Sequence, residues 1–102
     1  MKPLSAPNSC AAKLRILSDP TRLDVIELLL AGPKHVGEIN EKLRIEQSLL
    51  SHHLKALREA GFVVASRDGK SVLYRLSPTT KAPHVEKGIN LGCCVLCFEE
   101  EP

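Results

Sequence analysis

The chain has 102 residues, of which 43% are hydrophobic and 25% charged, which fits one small globular domain. With only two Phe, one Tyr and no Trp, its core must be aliphatic, and a second subunit would help to complete it. The formal net charge is +2. For residues 1–98 the net charge is +5, because this part of the chain contains 14 basic and nine acidic residues. Such a modestly basic domain is consistent with a nucleic-acid partner.

The expected compartment follows from the apolar segments and the cysteines. No apolar run reaches the roughly 18 residues of a membrane span, and the first residues, MKPLSAPNS, lack the apolar stretch of a signal peptide. We therefore expect a cytoplasmic protein without a membrane partner. Four cysteines in that compartment favour thiolates for metal or redox chemistry over a permanent disulfide framework.

The N-terminal part of the chain predicts a flexible arm followed by a first helix. Residues 1–8 contain two prolines and are predicted to form the arm. Asn8 or Ser9 can cap a helix that extends to about Leu17. Leu14 and Leu17 are apolar, and Lys13 and Arg15 are expected to lie in water.

Two further helices are bounded by proline and glycine signals. Asp19-Pro20 combines a carboxylate N-cap with proline at the first helical position, where the missing N–H costs nothing. The helix that follows has a broad apolar side and ends at Gly32-Pro33. A third helix is predicted over residues 36–43.

A fourth helix, residues 47–61 with the sequence QSLLSHHLKALREAG, follows a turn at residues 44–46. Three leucines recur at helical spacing and form an apolar face, and Gly61 suits a left-handed helix end. The other faces carry short polar or cationic side chains, which suit base edges and phosphates. An ordinary amphipathic surface helix has the same pattern. Two short helices joined by about three residues, however, form the helix-turn-helix arrangement.

Strand periodicity replaces helical periodicity after residue 61. Residues 62–64 lead to Asp68-Gly69, a hairpin signal, and apolar residues alternate on the return over 72–76. Three cations, Arg67, Lys70 and Arg75, cluster on this hairpin, as expected of a wing that straddles a phosphate backbone. The predicted fold is therefore mainly α with a β-hairpin wing (α+β), a winged helix-turn-helix.

Four segments together resemble the ArsR/SmtB family of winged-helix repressors. They are LRILSDPTRLDVIELL (14–29), HVGEINEKL (35–43), QSLLSHHLKALREAGFV (47–63) and RDGKSVLYRL (67–76). The resemblance implies a homodimer on a double-stranded DNA operator with an inverted repeat, one recognition helix entering each major groove. It covers residues 10–78, so residues 9–78 are interpreted as the DNA-binding domain and residues 79–102 as a cysteine-containing effector tail.

The resemblance also implies which side chains contact DNA. The base-facing positions would be Gln47, Ser48, Ser51 and His52, with phosphate contacts from Lys55, Arg67 and Lys70. His53 lies among the inward leucines and is predicted to be a buried imidazole bonded to the backbone. Glu46 stands where the family often has a small hydroxyl cap; a carboxylate can still cap, but close to phosphates. Tyr74 is in the inward-alternating set and is expected to pack.

The resemblance to the family implies three candidate effector-binding sites, and this sequence gives little support for two of them. His35 stands where many metal sensors have a cysteine, but a lone histidine at a helix start is usually a surface or capping residue. A late zinc-binding helix is not expected, because SPTTKAPHVEKG contains two prolines and only His84 and Glu86 as ligand candidates. The tail is the stronger candidate, and its glycines favour an irregular or strand-like conformation.

Three tail cysteines, Cys93, Cys94 and Cys97, fall within five residues. An all-thiolate trigonal site suits a soft effector such as arsenite, antimonite or another soft metal ion, and not a hard cation. Arsenic-responsive family members with C-terminal cysteines look similar, and Cys10 is a possible additional ligand or a cross-subunit partner. Redox or persulfide sensing by the same thiols is the alternative, and simple packing of small apolar side chains is another.

Enzymatic activity is not expected. Cys94-x-x-Cys97 could suggest a thiol oxidoreductase, but such pairs start a helix in a βαβ unit, which the pattern lacks. The sequence also shows no nucleophile–base set and no phosphate-binding loop, so no organic cofactor is predicted. A metal-buffering protein would need the tail but not the basic hairpin.

Overall fold

The structure, a computed structural model, describes residues 9–99. The predicted arm at residues 1–8 lies outside these residues, as do Glu100, Glu101 and Pro102. The elements in chain order are α1 (Cys10–Leu17), α2 (Pro20–Leu30), β1 (Lys34–His35), α3 (Val36–Leu43), α4 (Gln47–Glu59), β2 (Val63–Asp68), β3 (Ser71–Leu76), β4 (Gly88–Asn90) and β5 (Val95–Cys97). This order confirms a mainly helical winged helix-turn-helix with an added C-terminal hairpin.

The first two helices start at the predicted caps. The hydroxyl of Ser9 accepts the backbone N–H of Ala12 at 3.1 Å. The carboxylate of Asp19 accepts the N–H of Thr21 at 2.8 Å, with Pro20 at the first helical position. Both caps satisfy donors that have no partner inside the helix.

The prediction that Lys13 in α1 lies in water is wrong. Of the two leucines of this helix, Leu17 is buried and Leu14 is 44% exposed. Lys13 is half-buried, because the C-terminal segment folds back onto its side of the helix and its ammonium donates to the carbonyl of Leu91 at 2.8 Å. The pattern of α1 alone could not show that contact, which joins residues 78 positions apart.

The recognition-helix candidate α4 ends in a glycine-based motif. Gly61 has φ +85°, the left-handed conformation that glycine adopts without a Cβ penalty. The N–H of Phe62 donates to the carbonyl of Leu57 and that of Gly61 to Arg58, both at 3.0 Å. These two bonds form a Schellman motif, and Phe62 then enters the core at 3% exposure.

A three-stranded antiparallel sheet of order β1-β3-β2 forms the wing. Asp68 pairs with Ser71, so Gly69 and Lys70 form a two-residue loop, with Gly69 at φ +62°. A glycine at positive φ in the first loop position suits a hairpin turn of this length. The third strand, β1, was not predicted because two residues carry no periodicity. Its pairing with β3 fixes the start of α3 against the wing.

The C-terminal segment adopts strands, which confirms its predicted strand-like conformation. Strands β4 and β5 pair antiparallel, with Ile89 opposite Leu96. Ile89 and Leu91 are 0% and 2% exposed and belong to the core shared with the helices. The division of the chain at residue 78 stays a prediction.

The core is aliphatic apart from Phe62, as the composition predicts. It consists of Leu17, Val25, Ile26, Leu29, Ile39, Leu50, Leu54, Leu57, Phe62, Val63, Leu76, Ile89 and Leu91. Among residues 9–99, no helix has the length and apolar character that crossing a membrane requires.

Candidate DNA-binding surface and cysteine site

One side of α4 is buried and the other is polar and accessible. Leu50, His53, Leu54 and Leu57 are buried. The five residues of α4 for which DNA contacts were predicted, Gln47, Ser48, Ser51, His52 and Lys55, are all exposed. The packing of α4 therefore presents hydrogen-bonding groups outward along one accessible face.

Glu46 is the N-cap of α4, as the sequence allowed. Its carboxylate accepts the backbone N–H groups of Ser48 at 3.1 Å and Leu49 at 3.2 Å, and also the hydroxyl of Ser48. The hydrogen bond from the Ser48 hydroxyl, followed by that from its N–H, lowers the pKa of Glu46 below its ordinary value. The carboxylate thus stays ionised at the end of α4 where base contacts are predicted, and it engages the hydroxyl of Ser48.

His53 is buried, but its predicted partner was wrong. It is 7% exposed, and its Nδ1 accepts a hydrogen bond from Nε of Arg22 at 2.9 Å rather than bonding to the backbone. Its Nε2 lies 4.0 Å from the carboxylate of Asp19. The Asp19-Pro-Thr-Arg22 sequence therefore both caps α2 and supplies the partners of His53, a role that its capping signal did not reveal.

The cations of the wing are exposed, and its one carboxylate is paired. Arg67, near the end of β2, and Lys70, in the two-residue loop, are both exposed. Asp68 lies 2.7 Å from Nε2 of His35, and Nδ1 of His35 lies 3.0 Å from Glu38. His35 also donates its backbone N–H to Glu38 at 2.9 Å. His35 is thus a capping residue that links the start of α3 to the wing.

The two carboxylates act on the protonation of His35. Its pKa is raised above 6.5, first by the hydrogen bond with Asp68 and then by that with Glu38. The bond from the His35 backbone N–H, followed by the bond with its side chain, lowers the pKa of Glu38. Both ring nitrogens face carboxylate oxygens, an arrangement that the doubly protonated imidazolium satisfies best.

Cysteines from the two ends of the described chain meet at one place. The sulfur atoms of Cys10, Cys93 and Cys94 all lie within 4.8 Å of one another. Cys10 and Cys93 are joined as a disulfide with a Cα–Cα distance of 6.0 Å, and Cys94 Sγ is 3.8 Å from Cys93 Sγ. The beginning of α1 supplies the first sulfur, and the turn between β4 and β5 supplies the other two.

Cys97 lies outside this group of three sulfurs. It is the last residue of β5 and pairs with Gly88, whereas Cys93 and Cys94 occupy the turn before that strand. The approach of all three tail thiols, which a helical tail would give, is not seen, because the segment is extended and the hairpin separates the end of β5 from its turn. Cys97 as a metal ligand stays a prediction. The sequence offered Cys10 only as a possible ligand, since its proximity depends on how the chain folds back.

The donor set of this site determines what it can bind. In the reduced chain, three thiolates within reach of one atom fit a soft, thiophilic ion in trigonal coordination and do not fit a hard oxygen-seeking cation. The same sulfurs can instead form a disulfide, since Cys10 and Cys93 have a suitable Cα separation. Metal binding by all three thiolates and disulfide formation exclude each other.

The fold and the exposed polar face of α4 define a winged helix-turn-helix regulator. A family model described as "Bacterial regulatory protein, arsR family" matches residues 19–64. The chain belongs to this family and is a repressor of the ArsR/SmtB type.

Relatives and solved structures agree with this assignment. The chain is 38% identical over 79 residues to the HTH-type transcriptional regulator NmtR of Mycobacterium tuberculosis, covering 78% of this chain and 66% of that protein. It is 34% identical over 93 residues to the probable mercury resistance operon repressor of Streptomyces lividans, covering 91% and 71%. The structure of HlyU from Vibrio cholerae superposes with a TM-score of 0.68 and 34% identity, covering 78% and 84%. The Mycobacterium protein is described as a transcriptional regulator and the Streptomyces protein as a repressor, and neither is described as an enzyme.

Proposed function

We propose that the chain is a cytoplasmic repressor that leaves its operator when a soft metal or metalloid ion binds Cys10, Cys93 and Cys94. The observation that carries this proposal is the approach of three sulfur atoms to within 4.8 Å of one another, although Cys10 is 83 positions from Cys93 in the sequence. Two of these cysteines are exposed and the third is half-buried, so an ion from solution can reach them.

The DNA-binding half of the proposal is supported by the exposed face of α4 and the wing. We propose a homodimer on double-stranded DNA with an inverted repeat, because a two-fold protein matches two equal half-sites. In each half-site the bases would be contacted by Gln47, Ser48, Ser51 and His52, and the phosphates by Lys55, Arg67 and Lys70. All seven side chains are exposed.

The proposed effector class follows from thiolate chemistry. Arsenite and antimonite form three bonds to sulfur and fit the site, and other soft ions such as cadmium or mercury share this preference. A relative of this chain is described as a probable mercury resistance operon repressor, which supports a soft effector. Cys97, which is also exposed, is a candidate fourth thiolate if the turn moves on binding.

Release of DNA requires a modest difference in binding free energy between two states. If the ion binds the DNA-free geometry of the dimer about a hundredfold better, DNA affinity falls by the same factor, or about 2.7 kcal/mol. A bound ion would hold the start of α1 to the C-terminal turn, and the side chain of Arg22 connects α1 with α4. A shift of α1 can therefore reach the recognition helix.

The test is a titration of the reduced protein–operator complex with arsenite, antimonite, cadmium and zinc, followed by fluorescence anisotropy of the DNA. We expect release by the soft ions at far lower concentrations than by zinc. The Cys10→Ser and Cys93→Ser/Cys94→Ser variants should bind DNA normally and lose the response. Cys97→Ser should retain most of the response if three thiolates suffice, and a clear loss in this variant would identify Cys97 as a fourth ligand. An undiminished response in Cys10→Ser would contradict the proposed site.

The Cys10–Cys93 disulfide supports a second candidate function, redox or persulfide sensing. In that case the two thiols lose two electrons and two protons to an oxidant, such as an inorganic polysulfide, and form one S–S bond. The test is DNA release by polysulfide without metal, with mass spectrometry of the cross-linked peptides. Release that Cys10→Ser abolishes, together with no response to any soft ion, would favour this function over the first.

A further inference from the structure

We propose that Lys13 is a positioning residue that assembles the three-cysteine site, an inference that rests on the proposed binding of a soft ion by Cys10, Cys93 and Cys94. Lys13 follows Cys10 by three residues in α1, so the two side chains lie on the same side of the helix. The ammonium of Lys13 donates a hydrogen bond to the carbonyl of Leu91 at 2.8 Å.

The Lys13 contact falls at the start of the cysteine-bearing turn. The N–H of Leu91 donates to the carbonyl of Cys94 at 2.9 Å and closes the turn around Gly92 and Cys93. Gly92 has φ +87°, and a Cβ built on it would lie 3.5 Å from Nζ of Lys13. The ammonium therefore touches the backbone that carries two of the three sulfurs.

The other side of this turn is already fixed by the core. Leu91 is 2% exposed, and the side chain of Asn90 accepts the N–H of Gly92 at 2.8 Å. The core and the turn's own bonds therefore hold its shape, while Lys13 ties the turn to α1. This tie is a hydrogen bond that needs no bond between sulfur atoms, so we expect it also in the reduced chain that a metal ion meets.

The charge of Lys13 acts in the same direction as its hydrogen bond. Three thiolates and one divalent ion carry a net charge of −1, and a cation next to the turn favours that complex. Partners that orient metal ligands in this way commonly contribute 10- to 100-fold to metal affinity. The sequence alone gave no sign of this role, because Lys13 has the pattern of a solvated helix cation.

The test measures cadmium affinity of the fully reduced, full-length chain by the sulfur-to-metal absorbance band. We expect Lys13→Met to weaken cadmium binding about 10- to 100-fold. Lys13→Arg, which keeps both donor and charge, should recover most of the loss. Lys13→Gln, which can donate without charge, should fall between the two. Lys42→Met, at an exposed lysine of α3, is the matched control and should bind as the wild type does.

Thermal unfolding of the metal-free reduced proteins checks that each variant folds. If Lys13→Met does not fold, the comparison of Lys13→Arg with Lys13→Gln tests the role of Lys13, and we expect Lys13→Arg to bind cadmium more tightly. Equal affinity in the wild type and in every folded variant lacking the positive charge overturns the role of Lys13. Cadmium binding that Cys10→Ser leaves unchanged overturns the site itself. Wild-type cadmium binding that does not release DNA overturns the proposed switch but leaves the positioning role of Lys13 intact.

Discussion

Nε of Arg22 in α2 donates a hydrogen bond to Nδ1 of His53 in α4 at 2.9 Å. The same guanidinium donates through Nη1 to the carbonyl of Ile16 in α1 at 3.2 Å. One side chain therefore joins the helix that carries Cys10, the capped helix α2 and the recognition-helix candidate. Because His53 is 7% exposed, water cannot readily replace these bonds.

Replacing His53 tests the structural importance of that link. We expect His53→Ala to destabilise the protein by about 1–3 kcal/mol, since the Arg22 guanidinium loses its buried acceptor; urea denaturation measures this. The neighbouring His52→Ala is the matched control: His52 is exposed, so its loss should weaken DNA binding with little change in stability. Equal stability of the two variants would argue against a structural His53.

The protonation of His35 gives a pH-dependent prediction. Hydrogen bonds with Asp68 and Glu38 raise the folded-state pKa of His35 above 6.5. This contribution to stability is fully present below pH 6.5 and is lost as the pH rises through the raised folded-state pKa. Asp68→Asn should bring the His35 pKa down towards 6.5, as measured by NMR titration of the imidazole.

The matched control for Asp68 is Asp24→Asn, at an exposed aspartate of α2. It should leave the titration of His35 unchanged. The stability difference between the wild type and Asp68→Asn should be larger at pH 6 than at pH 9. A difference that grows with pH would contradict the proposed pairing.

Glu46 places a carboxylate where phosphates are expected, and its lowered pKa keeps it ionised. Glu46→Ser keeps a capping oxygen and removes the charge, so we expect roughly threefold tighter DNA binding at low salt. Glu46→Ala removes the cap as well and should lower Tm by a few degrees. Anisotropy titrations and thermal unfolding provide the two measurements. Weaker DNA binding by a folded Glu46→Ser variant would show that the carboxylate has a favourable role at the interface.

The wing cations are predicted to contact phosphates and not bases. Arg67→Ala and Lys70→Ala should each weaken binding to all DNA sequences alike and reduce the slope of log affinity against log salt by about 1. Lys81→Ala, at an exposed lysine outside α4 and the wing, is the control and should leave the slope unchanged. A loss confined to one operator sequence would instead indicate base contacts by the wing.

Ile89 tests whether the C-terminal segment belongs to the domain core. It is 0% exposed, so Ile89→Ala should cost about 2–5 kcal/mol of folding free energy. Val95→Ala, at a side chain 47% exposed, should cost far less. If denaturation of Ile89→Ala leaves the main transition unchanged, the segment after residue 78 folds independently of the helices.

Much of the fold could be predicted because its signals are local. Ser9, Asp19-Pro20, Gly61 and the Asp68-Gly69 turn each specify a cap or a bend through their own backbone chemistry, and the structure has them in those roles. The aliphatic face of α4 could likewise be predicted from the helical spacing of its leucines. The two-residue strand β1 was not, since its formation depends on pairing with β3 and not on its own composition.

The candidate site was only partly predictable because it joins distant residues. The density of cysteines at 93, 94 and 97 indicated thiol chemistry, but the turn between β4 and β5 determines which sulfurs meet. Cys10 and Lys13 belong to the site because they contact Cys93 and Leu91, which lie near the other end of the chain. A local sequence pattern cannot predict such contacts. Arg22 likewise has the sequence pattern of a first-turn helix cation, whereas its partners lie in α1 and α4.

The pairing of Cys10 with Cys93 spans 83 residues, so the covalent loop it closes contains the whole of the helix-turn-helix and the wing. In the chain-entropy description, closing a loop of that size reduces the conformational entropy of the unfolded chain and raises its free energy by about 4.5 kcal/mol. Oxidation would therefore lower the population of the globally opened chain, on which proteases act, whatever it does to operator affinity. The lifetime of the repressor in the cell, and not only its occupancy of DNA, would then depend on the thiol–disulfide balance of its surroundings.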